Sequence, residues 1–357
     1  MTGGLRGARQ RLLAWYRANR RDLPWRRTRD PYAIWISEAM LQQTRVEAVI
    51  PYYERFLARF PDVAALACAD QDDVLGAWAG LGYYSRARNL KSAAEIVVRE
   101  HGSALPEEVR ALRALPGVGR YTAGAIASIA FDRPEPVVDA NVARVLARLL
   151  DLREDVTRPA VARRLWEEAG ALVRGPSPGD LNQALMELGA TLCTPRAPRC
   201  PACPLARRCL ARRAGDPESL PLRARKAEPG RVEAVAALCL RRGRALAVRR
   251  PPRGLLGGLW ELPGGDLAPR EEPAAGLRRA LAERVGLRVA RLERAGAVEH
   301  AFTHRRLRLH VFRCEGATGR TRLADFDAHR WLAPARLGEL PHGAVTRKAL
   351  TLVLGGA

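Results

Sequence analysis

Hydrophobic positions follow two regimes along the 357-residue chain. Over residues 1–213, long stretches with helical apolar spacing alternate with short breaks at Leu23-Pro24, Phe60-Pro61, Leu105-Pro106 and Leu115-Pro116-Gly117. Val142, Val145, Leu146 and Leu149 keep the i, i+3, i+4, i+7 spacing of a half-buried helix, which turns Arg144 and Arg148 outward. Residues 214–231 hold Gly, Pro, Glu and Arg without periodicity and read as a linker. From 232 to 357 the period shortens. Leu307, Leu309 and Val311 alternate with Arg306, Arg308 and His310, the mark of a half-buried strand. One amphipathic helix, about Ala274–Val285, sits among these strands and another closes the chain. The pattern therefore predicts a multidomain protein: an all-α domain, a linker and a smaller α/β domain, with no internal repeat.

Charge adds the first functional constraint. Sixty Lys and Arg against 38 Asp and Glu leave a net +22, and only Lys91, Lys226 and Lys348 are lysines. A coding bias explains arginine in place of lysine. It does not explain the excess over acids, which favours a polyanionic partner, nucleic acid first. The excess is +8 over residues 1–220 and +14 over 221–357, so both halves share it. No apolar run reaches the roughly 18 residues of a membrane-spanning helix. Met1–Arg11 lacks the apolar stretch of a secretory signal. The expectation is a cytoplasmic protein, nucleoid-associated and without a membrane partner.

Cys193, Cys200, Cys203 and Cys209 form C-x6-C-x2-C-x5-C. Four thiolates this close can wrap one metal centre, either zinc or an iron–sulfur cluster. Disulfides do not suit a chain without a secretory signal. Pro195, Pro198, Pro201 and Pro204 make the segment a loop with no core of its own for ordinary buried cysteines. The spacing lacks the two separated C-x2-C knuckles of a zinc ribbon, which favours a [4Fe–4S] cluster. Arg196, Arg199, Arg207 and Arg208 on the loop are either a solvated face or a surface for phosphates.

Between two helices lies Leu115-Pro116-Gly117-Val118-Gly119-Arg120-Tyr121. Gly117 and Gly119 permit positive φ and close backbone approach, so that consecutive N–H groups can converge on a phosphate without reading bases. Cysteine spacing, this hairpin and the downstream Val137-Val138-Asp139 together resemble the endonuclease III/MutY superfamily of DNA base-excision glycosylases. The resemblance covers almost the whole chain. It implies a helix-hairpin-helix glycosylase domain over 1–213 with a [4Fe–4S] loop at 193–209. After the linker at 214–231, it implies a Nudix-like lesion-recognition domain over 232–357.

Cleaving an adenine N-glycosidic bond requires a proton for the departing purine and negative charge beside an oxocarbenium-like sugar. Glu38 lies in Trp35-Ile36-Ser37-Glu38-Ala39-Met40-Leu41. A carboxyl in so apolar a stretch is either desolvated, with the raised pKa that suits a general acid, or the exposed position of an amphipathic helix. Asp139 stands where a helix N-cap is expected. The resemblance implies that Glu38 protonates adenine and Asp139 stabilises the sugar, with Tyr121 and Asn141 lining the catalytic pocket. It further implies that Trp25, Arg26 and Gln183 recognise the flipped base while Gln43 and Tyr83 fill or prop the gap in the stack. Strand-cleaving relatives carry a Schiff-base lysine where this chain has Tyr121, so a monofunctional glycosylase is expected.

Gly265-x5-Glu271-x7-Arg279 continues through Ala280 to Leu287 in the register of a Nudix box. Ala280 and Arg284 replace two of its metal-binding carboxylates, and an arginine repels a divalent cation. Pyrophosphate hydrolysis is therefore not expected. The MutY extension reads 8-oxoguanine through a Phe-Ser-His loop, matched here by Phe302, Thr303 and His304. The implied substrate is double-stranded DNA carrying A:8-oxoguanine or A:G mispairs, bound by a monomer. The alternatives are an endonuclease III-like lyase for oxidised pyrimidines, a non-enzymatic iron–sulfur DNA sensor and a nucleotide hydrolase.

Overall fold

A computed structural model describes residues 2–224, 229–252, 254–302 and 305–355. The chain forms two compact units, Met1–Cys68 with Ser92–Lys226, and Ala69–Lys91 with Ala227–Ala357. The N-terminal half is helical, in the order α1 (Thr2–Asn19), α2 (Pro31–Leu41), α3 (Val46–Arg59), α4 (Val63–Cys68), α5 (Gln71–Trp78) and α6 (Ser85–His101). It continues through α7 (Val109–Ala114), α8 (Arg120–Ile129), α9 (Ala140–Leu149), α10 (Pro159–Val173), α11 (Pro178–Thr191) and α12 (Leu210–Arg213).

Two carboxylates start the helices that matter most. Asp30 caps α2, accepting from the N–H groups of Tyr32 and Ala33 at 3.1 and 3.2 Å, and Pro31 presets the first turn. Every residue of α2 from Tyr32 to Met40 is buried, Glu38 included. A helix without a polar face can only be a central one, and α2 packs on α3 and α8. Asp139 caps α9, accepting from Val142 N–H at 2.7 Å. Helix α9 packs between α10 and α11 around Val142, Leu146, Leu165, Leu181 and Leu185.

Here the structure departs from the expected periodicity, because α9 is buried on all sides from Val142 to Leu149. Arg144 and Arg148 point inward and are 8% and 1% exposed. Arg148 donates to the carbonyls of Leu220 (2.9 Å), Thr194 (2.7 Å) and Pro195 (2.9 Å) and to Cys193 Sγ (3.3 Å). A guanidinium offers five donors in a fixed fork, and three carbonyls and a thiol sulfur take four of them here.

In the second unit a seven-stranded sheet runs β3-β2-β1-β6-β5. Its strands are β1 (Gly230–Arg241), β2 (Arg244–Arg249), β3 (Trp260–Glu261), β4 (Gly264–Asp266), β5 (Arg291–Ala301), β6 (Arg305–Glu315) and β7 (Ala328–Leu332). β4 pairs with β1 and β7 with β2. Strands β1 and β6 are parallel, and the other pairs antiparallel. Helices α13 (Pro273–Val285) and α14 (Ala344–Leu354) cover opposite faces. Leu307, Leu309 and Val311 meet the α14 core as the alternation predicts, whereas Phe312 and Cys314 face α13. His310, expected outside, is 5% exposed and bonds Glu233 at 2.9 Å. The linker's residues 225–228 lie outside the described residues. Segment Ala69–Lys91, grouped with the helical half by periodicity, is part of the sheet's unit.

Candidate active site

A cavity of ≈ 540 Å³ opens in the helical unit. Trp25 and Arg26 reach it from the 3-10 turn Pro24–Arg26, Glu38 and Gln43 from α2 and its end, and Tyr121 from the first turn of α8. Asp139 and Asn141 enter from the start of α9, and Gln183 from α11. Eight side chains singled out from the sequence thus line one chamber.

Glu38 is 5% exposed, and its Oε2 has no hydrogen-bond partner among the described residues. Burial pushes its carboxyl up to about 7. A hydrogen bond with Tyr121 opposes the rise, the charge of Asp139 adds to it and that of Arg26 opposes it. Burial also raises Asp139 above the usual range, although Val142 N–H and the Asn141 amide favour its charged form. Its two oxygens are both engaged, Oδ1 by Val142 N–H at 2.7 Å and Oδ2 by Asn141 Nδ2 at 2.9 Å. The Tyr121 phenol, held neutral by burial and two nearby carboxyls, stands 3.1 Å from Met186 Sδ, so the sulfur competes with Glu38 for its single proton.

Asn141 is oriented from behind. Arg144 Nη2 donates to its Oδ1 at 2.8 Å, which leaves the amide NH2 for Asp139. The same guanidinium donates to the Gly189 carbonyl (2.8 Å) and the Cys193 carbonyl (2.7 Å). A hydrogen-bonded chain therefore runs from the cysteine loop to the Asp139 carboxylate. At the crossing of α9 and α11, a Cβ on Gly189 would stand 2.6 Å from Asn141 Cβ, so only glycine lets the helices approach this closely.

Two features of the site were not anticipated. Glu187, four residues beyond Gln183 and fully buried, accepts from both Arg21 and Arg26 at 2.8 Å. Burial raises its pKa, but the two guanidiniums outweigh that and hold it at about 2. Arg26 is thus fixed in the pocket wall by a charge that the i, i+4 spacing from Gln183 could have suggested. Arg144 is the other, hidden behind the assumption that charged residues on a helix face water.

Cys193, Cys203 and Cys209 pack against the helical core. Burial raises the Cys203 thiol to about 11, with the other three cysteines adding to the rise, so the four lie within mutual electrostatic reach. Among the described residues, no three Cys, His, Asp or Glu side chains are grouped to hold a single metal ion. Sulfur is the only donor type in the set, and Arg148 N–H already addresses Cys193 Sγ.

In the hairpin, Gly117 has φ 77° while Gly119 has φ −82° and caps α8, so only the first needs glycine for its backbone angle. A Cβ on Gly119 would meet nothing within 4 Å among the described residues, so no close packing demands glycine there either. Tyr83 (44% exposed) and Phe302 belong to the sheet's unit, and Thr303 and His304 lie outside the described residues. In that unit Arg279 clamps Glu271 with two 2.7 Å bonds, and Arg284 bonds the Gly264 carbonyl and Asp325 (2.7 Å to the latter). The positions a metal would need are filled by Ala280 and a guanidinium.

Residues 36–170 match the family described as HhH-GPD superfamily base excision DNA repair protein, and residues 234–352 match the NUDIX domain. A thermostable thymine-DNA glycosylase of known structure is similar at 30% identity and TM-score 0.55, over 59% of this chain and 98% of its own. An endonuclease III from a DNA complex shares the fold at TM-score 0.51 and 22% identity, over 60% of this chain and 98% of its own. Fold and site define a DNA glycosylase of base-excision repair with an appended Nudix-like domain. Adenine DNA glycosylase of Mus musculus is 41% identical over 85% of this chain and 70% of its own length. That of Homo sapiens is 39% identical over 90% and 69%. The enzyme of Mycobacterium tuberculosis H37Rv is 43% identical over 58% and 68%. The chain belongs to the adenine DNA glycosylase family.

Proposed function

We propose that this protein excises adenine opposite 8-oxoguanine, or opposite guanine, from double-stranded DNA. It flips the adenine into the Glu38 cavity and hydrolyses the N-glycosidic bond without cutting the strand. Glu38 carries this reading: a buried carboxyl with one oxygen unpartnered among the described residues, protonated up to about pH 7, shares a chamber with a second, hydrogen-bonded carboxylate. Glu38 gives its proton to a ring nitrogen of the departing base, and the bonding pair leaves with the base as neutral adenine. Ionised Asp139 stabilises the cationic sugar, whose carbon then takes a water oxygen, releasing a proton and leaving an abasic site.

Trp25, Arg26 and Gln183 recognise the base, Tyr121 and Asn141 shape the pocket, and Gln43 and Tyr83 fill the vacated stack. Positive φ at Gln43 (59°) and Tyr83 (47°) supports a specialised role for both, since the left-handed region disfavours residues with a side chain. Gly117 and Gly119 approach a phosphate, and Phe302, Thr303 and His304 read the opposite base. Tyr121 offers no amine for a Schiff base, which favours base release over strand cleavage.

A [4Fe–4S] cluster suits the all-sulfur set Cys193, Cys200, Cys203 and Cys209, since each thiolate would bond its own iron and none need share an ion. When bound, it cross-links the loop and thereby holds the Cys193 carbonyl that Arg144 reads. We further place the protein in the cytoplasm at the nucleoid, as a monomer. No helix among the described residues is long and apolar enough to cross a membrane.

The test is Glu38→Gln on a duplex with A opposite 8-oxoguanine. Single-turnover excision should fall by about 10²–10⁴, the usual contribution of a general acid, with duplex affinity retained. Excision at the wild-type rate would refute the assigned acid. Iron analysis of purified protein should return about four irons per chain, and one zinc would refute the cluster.

A further inference from the structure

The turn before α6 carries Tyr83 and folds with the C-terminal half of the chain, not with the unit that holds Glu38. Its backbone is strapped from within. Trp78 Nε1 donates to the Gly82 carbonyl at 3.1 Å. Arg86 Nη2 donates to the Leu81 and Gly82 carbonyls at 3.2 and 3.1 Å, and its guanidinium lies 5.5 Å from the Tyr83 ring centre. A turn held this firmly passes on any displacement of its base.

Two side chains tie that base to the C-terminal domain. Buried Tyr84 donates its hydroxyl to the His342 carbonyl at 2.9 Å and accepts from Gly80 N–H at 3.3 Å, so one oxygen joins turn and domain. One helical turn later, Arg88 donates to the Gly257 carbonyl. These two carbonyls belong to neighbouring strips of backbone. Trp260 pairs with His342 in a β-bridge, and its N–H bonds the Pro341 carbonyl at 2.9 Å. Leu75 of α5 closes the contact, 3.6 Å from where a Cβ on Gly258 would stand.

We propose that Tyr84 and Arg88 are positioning residues that fasten the stack-probing Tyr83 to the domain carrying Phe302, so that the side chain entering the stack answers to the domain reading the opposite base. This rests on the reading above that the enzyme discriminates 8-oxoguanine from guanine opposite adenine. Glu38 and Asp139 belong to the other unit. Loosening the two ties therefore lowers discrimination between opposite bases while the chemical step persists.

The experiment uses the full chain with Tyr84→Phe and Arg88→Met together. It compares single-turnover excision from duplexes with A opposite 8-oxoguanine and A opposite G. The ratio of the two rates should fall about tenfold, the factor that two lost hydrogen bonds supply, with the A:G rate within about twofold of wild type. An unchanged ratio in a variant that melts like wild type overturns the proposal. If wild type itself shows no preference for 8-oxoguanine, the substrate reading fails, and amide hydrogen exchange then judges the ties. Amides 80–86 should exchange about tenfold faster in the double variant, and exchange at the wild-type rate overturns the proposal. Should the double variant not fold, Tyr84→Phe alone, which removes one oxygen atom, supports both measurements.

Discussion

At the scale of single residues, the site turns on one carboxyl in two protonation states. As the proposed general acid, Glu38 would act in its protonated form, and burial raises its carboxyl to about 7, so the excision rate should fall above about pH 7 with unit slope in log rate. On the acid side the rate should fall as Asp139, whose pKa lies above the usual carboxylate range, takes up a proton. A single-turnover pH profile checks both limbs, and a profile flat from neutral to alkaline pH would rule out Glu38 as the acid. Stability follows the same titration. The folded pKa lies above the unfolded one, so the folded state binds the extra proton between them. The contribution is fully present below about pH 4.5 and is lost as pH rises through about 7. Glu38→Gln should therefore be more stable than wild type at pH 8, by about 3 kcal/mol at most. Thermal melts across pH would detect this.

At the scale of elements, α9 is the joint between the cysteine loop and the cavity that holds Glu38. Its N-cap is Asp139, its first turn supplies Asn141, and Arg144 and Arg148 hold the loop backbone from the same helix. Arg144→Gln removes the donors that orient the Asn141 amide, which frees that amide to turn its oxygen toward Asp139. Excision should drop about 10- to 100-fold, the equivalent of one charge-assisted hydrogen bond, with DNA affinity falling much less. An equal loss in binding and rate would instead mean general misfolding. The loop itself was legible in the sequence from four cysteines in seventeen positions. Its attachment to α9 was not. The arginines that make it are spaced like residues facing water, and their acceptors lie 45 to 72 positions further along.

At the scale of the molecule, two units divide the labour unevenly with respect to sequence order. The helical unit holds the chamber, and the sheet's unit holds Tyr83 together with the degenerate Nudix box. In that box Arg284 bonds the Gly264 carbonyl and Asp325, and Ala280 offers no ligand. The protein should consequently release no phosphate or pyrophosphate from nucleoside triphosphates with Mg²⁺, as a phosphate-release assay would show. Turnover there would mean that a metal binds despite the arginine. The +22 charge is shared by both halves, with an excess of +8 over residues 1–220 and +14 over 221–357.

The sequence by itself determined the kind of chemistry. A carboxylate inside an apolar helix, a second at a helix start, a tyrosine in place of an amine and a quartet of thiols are choices of residue type, written locally and read locally. Pattern also located the helical and sheet regimes, because burial of one face imposes a period on neighbouring positions. Tertiary structure decided what surrounds those groups. It left Glu38 Oε2 without a partner among the described residues, pinned Arg26 through Glu187, turned Arg144 and Arg148 inward and assigned Ala69–Lys91 to the sheet's unit. Each of these depends on acceptors or packing surfaces far away in the chain. Whether a charged side chain is buried is settled by the partners that reach it in space, and helical or strand periodicity carries no record of them.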